Sequence, residues 1–186
     1  MVNLTMNEDM LEILASMKGK TLKSIEGEYR LPYKNFREFV RFNLGRFAVE
    51  VYSNEVGVQW FWNSNHIVQD EATRFMVFKK DLAEHEYQKG WKAIQLMKDE
   101  KISEVVVVRD QIKNSKGDEI LVDSGFVLRT DENVYTFSKC DLSSYAIHMN
   151  ESSKIDMYYS VKRAKEDCSD KELGLAARVN REYTFL

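Results

Sequence analysis

The clearest pattern in the chain is at Phe47 to Tyr52, FAVEVY. Phe47, Val49 and Val51 fall on one side and Ala48, Glu50 and Tyr52 on the other. Period-two alternation of this kind predicts a strand with one buried face. Similar runs recur along the chain: Thr21 to Tyr29, RFMVFK at 74–79, EVVVVRD at 104–110, Glu119 to Arg129 with Gly125 as a candidate bulge, and VYTFSK at 134–139. Ser144 to Met149 and Lys154 to Val161 read as two more strands, and the last residues, REYTFL, as a returning one. Polar turns such as Ser115-Lys116-Gly117-Asp118 and Thr130-Asp131-Glu132-Asn133 separate several of them. Strands at this spacing imply an antiparallel meander.

Three segments depart from that period. Asn7 to Lys18 repeats its apolar residues at Met10, Leu11, Leu14 and Met17, a narrow helical stripe. Asn7 suits its N-cap, Glu8 and Asp9 suit the positive end of the dipole, and Gly19 suits its stop. Leu82 to Lys98 has helical composition, interrupted by Gly90. Ser169-Asp170-Lys171-Glu172 has capping-box spacing and predicts a short helix. Asn35 to Leu44, NFREFVRFNL, satisfies both periods. The strand reading, preferred, sets Phe36, Val40 and Phe42 against Arg37, Phe39 and Arg41. The expected fold is α+β, built on a mainly antiparallel, strongly curved sheet or open β-barrel. An N-terminal helix and one or two further helices flank it.

The stretch GVQWFWNSNH at 57–66 holds two of the three tryptophans. Ser53 to Gly57 reads as a turn, and Val58 to Trp62 as the returning strand of a hairpin. Val58, Trp60 and Trp62 then share one face, with Trp60 in the core across from Val49 or Val51. Trp62 comes last, directly before amides and an imidazole. An apolar body beside a few placed polar groups is what a pocket wall needs. Trp62, Asn63, Asn65 and His66 are therefore the candidate ligand-binding rim, with His148 on a later strand as a further lining residue.

At 186 residues with 44% hydrophobic and 31% charged positions, residues 1–186 form one expected domain, with no repeat or linker. The net charge of -3 argues against a nucleic-acid partner, which would call for a basic field. A locally basic segment from Lys18 to Arg46 reads as a solvated face. No apolar run approaches the ~20 residues of a membrane span, and MVNLTMNEDM lacks the basic start and apolar core of a signal peptide. Cys140 and Cys168 have no ligand-like spacing and read as idle thiols, which suits a reducing cytoplasm.

Phosphate loops, dinucleotide fingerprints, nucleophile elbows and zinc-protease motifs are all missing. His66 and Asp70 have the i, i+4 spacing that would share a helical face, yet two residues do not make a metal site. His85 sits between Glu84 and Glu86, as on a solvated helix. No metal or cofactor is implied. The expected function is a non-catalytic cytoplasmic binding or regulatory protein, immunity-protein-like, holding a small molecule or a protein partner. A small hydrolase or isomerase using a His–carboxylate site in a barrel mouth is the alternative. A sheet-edge module pairing as a homodimer is a third.

Overall fold

A computed structural model describes residues 1–29, 36–37, 39–63, 66–82, 92–169 and 174–186. In chain order its elements are β1 (Val2–Leu4), α1 (Glu8–Ala15), β2 (Thr21–Tyr29), β3 (Phe36–Arg37), β4 (Phe39–Asn43), β5 (Ala48–Asn63) and β6 (His66–Lys80). They continue with β7 (Lys92–Asn114), β8 (Glu119–Thr130), β9 (Val134–Lys139), β10 (Ile147–Ser152), α2 (Val161–Asp167) and β11 (Ala177–Phe185). The strands join in the order β3-β10-β9-β8-β7-β2-β4-β5-β6. Among the described residues this is an open path, and every pairing is antiparallel except β1 on β8. The expected antiparallel, sheet-dominated architecture is what forms.

β7 is shared between two halves of the sheet. Its first half, Lys92 to Lys101, pairs with β2, and Ile102 to Lys113 pairs with β8. β11 pairs with Val106 to Asn114 of β7. Core-facing side chains alternate as the strand period demands: Val40 and Phe42 on β4, Val49 and Val51 on β5, Phe75 and Val77 on β6, and Val105 and Val107 on β7. Phe126 and Phe137 stack at 4.8 Å between ring centroids, and Phe42 and Phe75 meet them edge-on. Such geometry suits the aromatic quadrupole. α1 adds Met10 and Leu14 to this core, capped by Asn7, whose Oδ1 accepts from the Met10 N–H at 3.0 Å. Gly19 follows with φ 78°, the left-handed value a helix stop requires.

The opposite face of β7–β9 carries Val106, Val108, Val127 and Val134, covered by Ile155 and Met157. Residues 153–160 cross that face outside any strand, so the expected strand at 154–161 does not form. The Asp156 N–H instead donates to Thr136 Oγ1 at 3.4 Å, and Ser160 caps α2 by accepting from the Arg163 N–H. α2 therefore occupies Val161–Asp167, ahead of the expected capping box at Ser169, of which residues 170–173 lie outside the described residues.

Two other expectations are corrected. Lys92 to Lys98 is strand, not helix: the ladder to β2 outweighs the helix propensity of Ala93, Leu96, Met97 and Lys98. His85 and the rest of 83–91 lie outside the described residues. Ser53 to Gly57 is no turn but the middle of β5, which runs unbroken for 16 residues. The last described pair of the hairpin is Asn63 with His66. Of the residues at 35–44 that satisfied both periods, Phe36–Arg37 and Phe39–Asn43 are strand, and Leu44 lies just past it.

The bulge expected at Gly125 is present. Val108 pairs with Gly125 but Arg109 with Asp123, so Ser124 is one extra residue on β8. It changes which residues continue the core-facing row. Leu128 and Phe126 lie opposite Val105 and Val107, and next in that row comes Asp123 opposite Arg109. The apolar interior therefore ends in a carboxylate.

Candidate functional site

The expected rim residues occupy the far end of the β5–β6 hairpin. Trp60 pairs with Val68, and Trp62 and Asn63 close β5 as His66 opens β6. Asn65 lies outside the described residues. His66 and Asp70 sit on a strand, so the spacing that would align them on a helix does not apply. His148 is elsewhere, on β10, opposite Ser138 and Phe36. Its ring stacks on Tyr158 at 4.5 Å, and the Arg163 guanidinium lies 3.9 Å from the same ring centroid.

β5 pairs with β4 only from Ala48 to Tyr52. From Ser53 to Asn63 its described partner is β6 alone, so this part is a two-stranded ribbon leaving the sheet. Residues 140–146 grip the ribbon where it departs. The Thr73 N–H donates to Leu142 O at 2.8 Å, and Thr73 Oγ1 and Ser53 Oγ each donate to Ser144 O at 3.0 Å. The Tyr145 hydroxyl donates to the Glu55 carboxylate. Asp141 shapes the gripping loop by accepting from the Ser143 and Ser144 N–H groups.

At the centre of this grip is Lys139, with none of its surface exposed. It continues the core-facing row Tyr135, Phe137, Lys139 of β9. Its ammonium donates to Thr73 O and Thr73 Oγ1, both at 2.6 Å, and lies 5.1 Å from the Phe75 ring centroid. Burial pulls its pKa down to about 7, against the pull of Asp141 and Asp123. Asp123 is fully buried and already engaged: Arg109 binds it through two nitrogens, and the Met6 N–H donates to it at 2.7 Å. Near neutral pH Lys139 divides between amine and ammonium, and both forms can donate to Thr73. With no exposed surface, the amine serves as a clamp rather than a nucleophile open to solvent.

A second polar group closes the other end of β9. Glu100 accepts from the hydroxyls of Thr130 and Tyr135, both at 2.6 Å, and from Asn133 Nδ2 at 3.2 Å. Burial pushes its pKa up, but these donors outweigh burial and hold it below the usual carboxylate value. Lys98 bridges to Glu151 at 2.9 Å. Behind the sheet, Asp110 is fully buried and held by two nitrogens of Arg181, which also donates to Tyr159 O.

Both thiols are free. Burial pushes Cys140 up to about 11 and Cys168 up to about 12, which keeps each protonated and unreactive near neutrality. Among the described residues no three His, Cys, Asp or Glu side chains gather as a metal site. No helix among them is long and apolar enough to cross a membrane. Compared with protein-family models, curated proteins and solved structures, the chain matches none.

Read from the sequence alone, Lys139 has no role beyond closing the strand VYTFSK. The signal was available in VYTFSK, where Lys139 shares parity with Tyr135 and Phe137. A lysine continuing a row of core aromatics must be buried or end the strand.

Proposed function

We propose that the chain is a non-catalytic cytoplasmic binding or regulatory protein, immunity-protein-like, and that it holds a protein partner at the outer end of the β5–β6 hairpin. One observation carries this reading: β5 continues eleven residues past its last pairing with β4, as a ribbon paired only to β6 among the described residues. An isolated two-stranded hairpin is marginal in water. In this one Val58, Trp60, Phe61 and Trp62 lie beyond the last pairing with β4, while Thr73, Ser53 and Glu55 anchor its base. A ribbon offers open backbone edges and large side chains, which suit a protein surface better than an enclosed small molecule. Trp62, Asn63, Asn65 and His66 form the contact end.

The same reading takes the curved sheet as an open barrel. β3 and β4 are one residue apart in sequence, yet β3 pairs with β10 and β4 with β2.

Photo-crosslinking tests the assignment. Trp62→benzoylphenylalanine, irradiated in extract of the source cells, should give a defined adduct that unlabelled wild-type protein competes away. The same substitution at exposed Lys154 should not give it. Absence of a competable adduct at position 62, or the same adduct from position 154, would overturn the reading.

A further inference from the structure

β11 is bonded to β7 along one edge, in an unbroken register from Ala177–Asn114 to Phe185–Val106. Among the described residues no strand pairs with its other edge. Natural sheets blunt such edges with proline, bulges or inward-pointing charges. The RVNREYTF stretch of β11 contains no proline, its register contains no bulge, and its one inward-pointing charge, Arg181, is neutralised by buried Asp110.

The charges on this strand have an order that the β7 side does not explain. Arg178, Asn180, Glu182 and Thr184 alternate along one face, and all four are exposed. Across the ladder, Glu182 lies opposite Arg109, an opposite-charge pairing, but Arg178 lies opposite Lys113. Lys113 is already paired with Glu119 at 3.4 Å, so Arg178 is the outermost of two adjacent cations. The row of Arg178 calls for an anion on the open side, and the row of Glu182 accepts a cation there.

A second copy of this strand supplies both. A two-fold axis perpendicular to the sheet keeps each residue on its own face, so the axis must pass opposite one residue and its own counterpart. Of the registers open to Ala177–Phe185, one centred on Arg181 sets arginine against arginine, and one centred on Glu182 sets carboxylate against carboxylate. Only a register centred on Asn180 places Arg178 opposite the second copy's Glu182, twice per dimer. It also sets half-exposed Tyr183 opposite Ala177 and Val179 opposite Arg181, whose guanidinium is already committed to Asp110.

We propose that β11 is a homodimerisation edge, pairing antiparallel with β11 of a second copy about Asn180 and joining the two sheets into one. Main-chain hydrogen bonds supply the attraction, and the two Arg178–Glu182 pairs fix the register.

Sedimentation of the wild-type chain over a dilution series, with Arg178→Glu, Glu182→Arg and the double variant, tests this. The wild type should dimerise reversibly. Each single reversal sets like charges opposite each other twice and should weaken the dimer by roughly tenfold or more. The double reversal should restore it, and an equal mixture of the two single variants should form a heterodimer tighter than either homodimer. Both side chains are exposed, so the far-UV spectrum should be unchanged. A wild type that stays monomeric, single reversals that leave the dimer constant unaltered, or a double reversal no tighter than the singles would each overturn the proposal.

Discussion

Replacing Lys139 with methionine should change how stability depends on pH more than it changes the fold. The ammonium is fully buried, and its pKa drops from 10.5 to about 7 on folding. A lysine with a depressed folded pKa binds fewer protons in the native state than in the unfolded chain between those two values. Stability must therefore rise with pH across that window, and the cost of burying the charge is fully present below about pH 7. Integrating the single-site linkage from pH 7 to about 8.5 gives a gain on the order of 1.5–2 kcal/mol. Higher pH is less informative, because Cys140 and Cys168 have folded pKa values raised from 9.0, and their contribution falls once unfolded thiols ionise. Urea unfolding of wild type and Lys139→Met over pH 6.5 to 8.5 reads the effect directly. The wild-type midpoint should climb, and the variant's should be nearly flat. The variant also leaves Thr73 O without its donor, so its absolute stability at pH 8.5 should be lower by about 1–3 kcal/mol. A flat wild-type profile, or a variant that climbs in parallel with it, would show that Lys139 does not titrate as argued.

Two other outcomes are expected. Gly125→Ala should destabilise by about 1–3 kcal/mol in chemical denaturation, because a Cβ there would overlap the Phe137 carbonyl oxygen and come 2.5 Å from Met157 Cε, and backbone cannot swing aside. Both cysteines should resist iodoacetamide at pH 8 in the native protein and react fully in urea, as their raised pKa values require; rapid native labelling of either would contradict the idle-thiol reading.

Where a segment's own pattern decides its fate, the sequence was legible. FAVEVY opens β5 with Val49 and Val51 in the core as expected, Asn7 and Gly19 bound α1, Gly125 marks the bulge, and REYTFL returns as the second half of β11. The misreadings all involve residues whose local preference is overridden from a distance. Ser53 and Asn54 are turn formers, yet Ser53 is held inside β5 by the carbonyl of Ser144, ninety-one positions away. Ala93, Leu96 and Met97 favour helix, yet β2 offers them a ladder. Residues 154–161 read as strand, yet they cross the sheet and end at the Ser160 cap of α2, where Ala164 and Cys168 join a buried cluster with Ile112 and Val122. The hairpin was legible as aromatic strand but its length was not. The grip at its base was illegible, because it joins Ser53, Thr73, Lys139 and Ser144 from three separate regions of the chain.

The 23 residues of β7 have a consequence for how the protein is made. During synthesis β2, β4, β5 and β6 can pair as soon as they emerge, since each meets a neighbour close by in sequence. The outer edge of β2 stays bare until Lys92 to Lys101 leave the ribosome. By then the nascent chain has carried one unpaired edge of β2 for some seventy residues. β7 next exposes its own valine run until β8 and then β11 arrive. Long-range strand pairing of this kind is slow and exposed to misassociation. The growing chain is thus most vulnerable just before β7 appears, and a pause in translation there would lengthen the time in which it needs a chaperone.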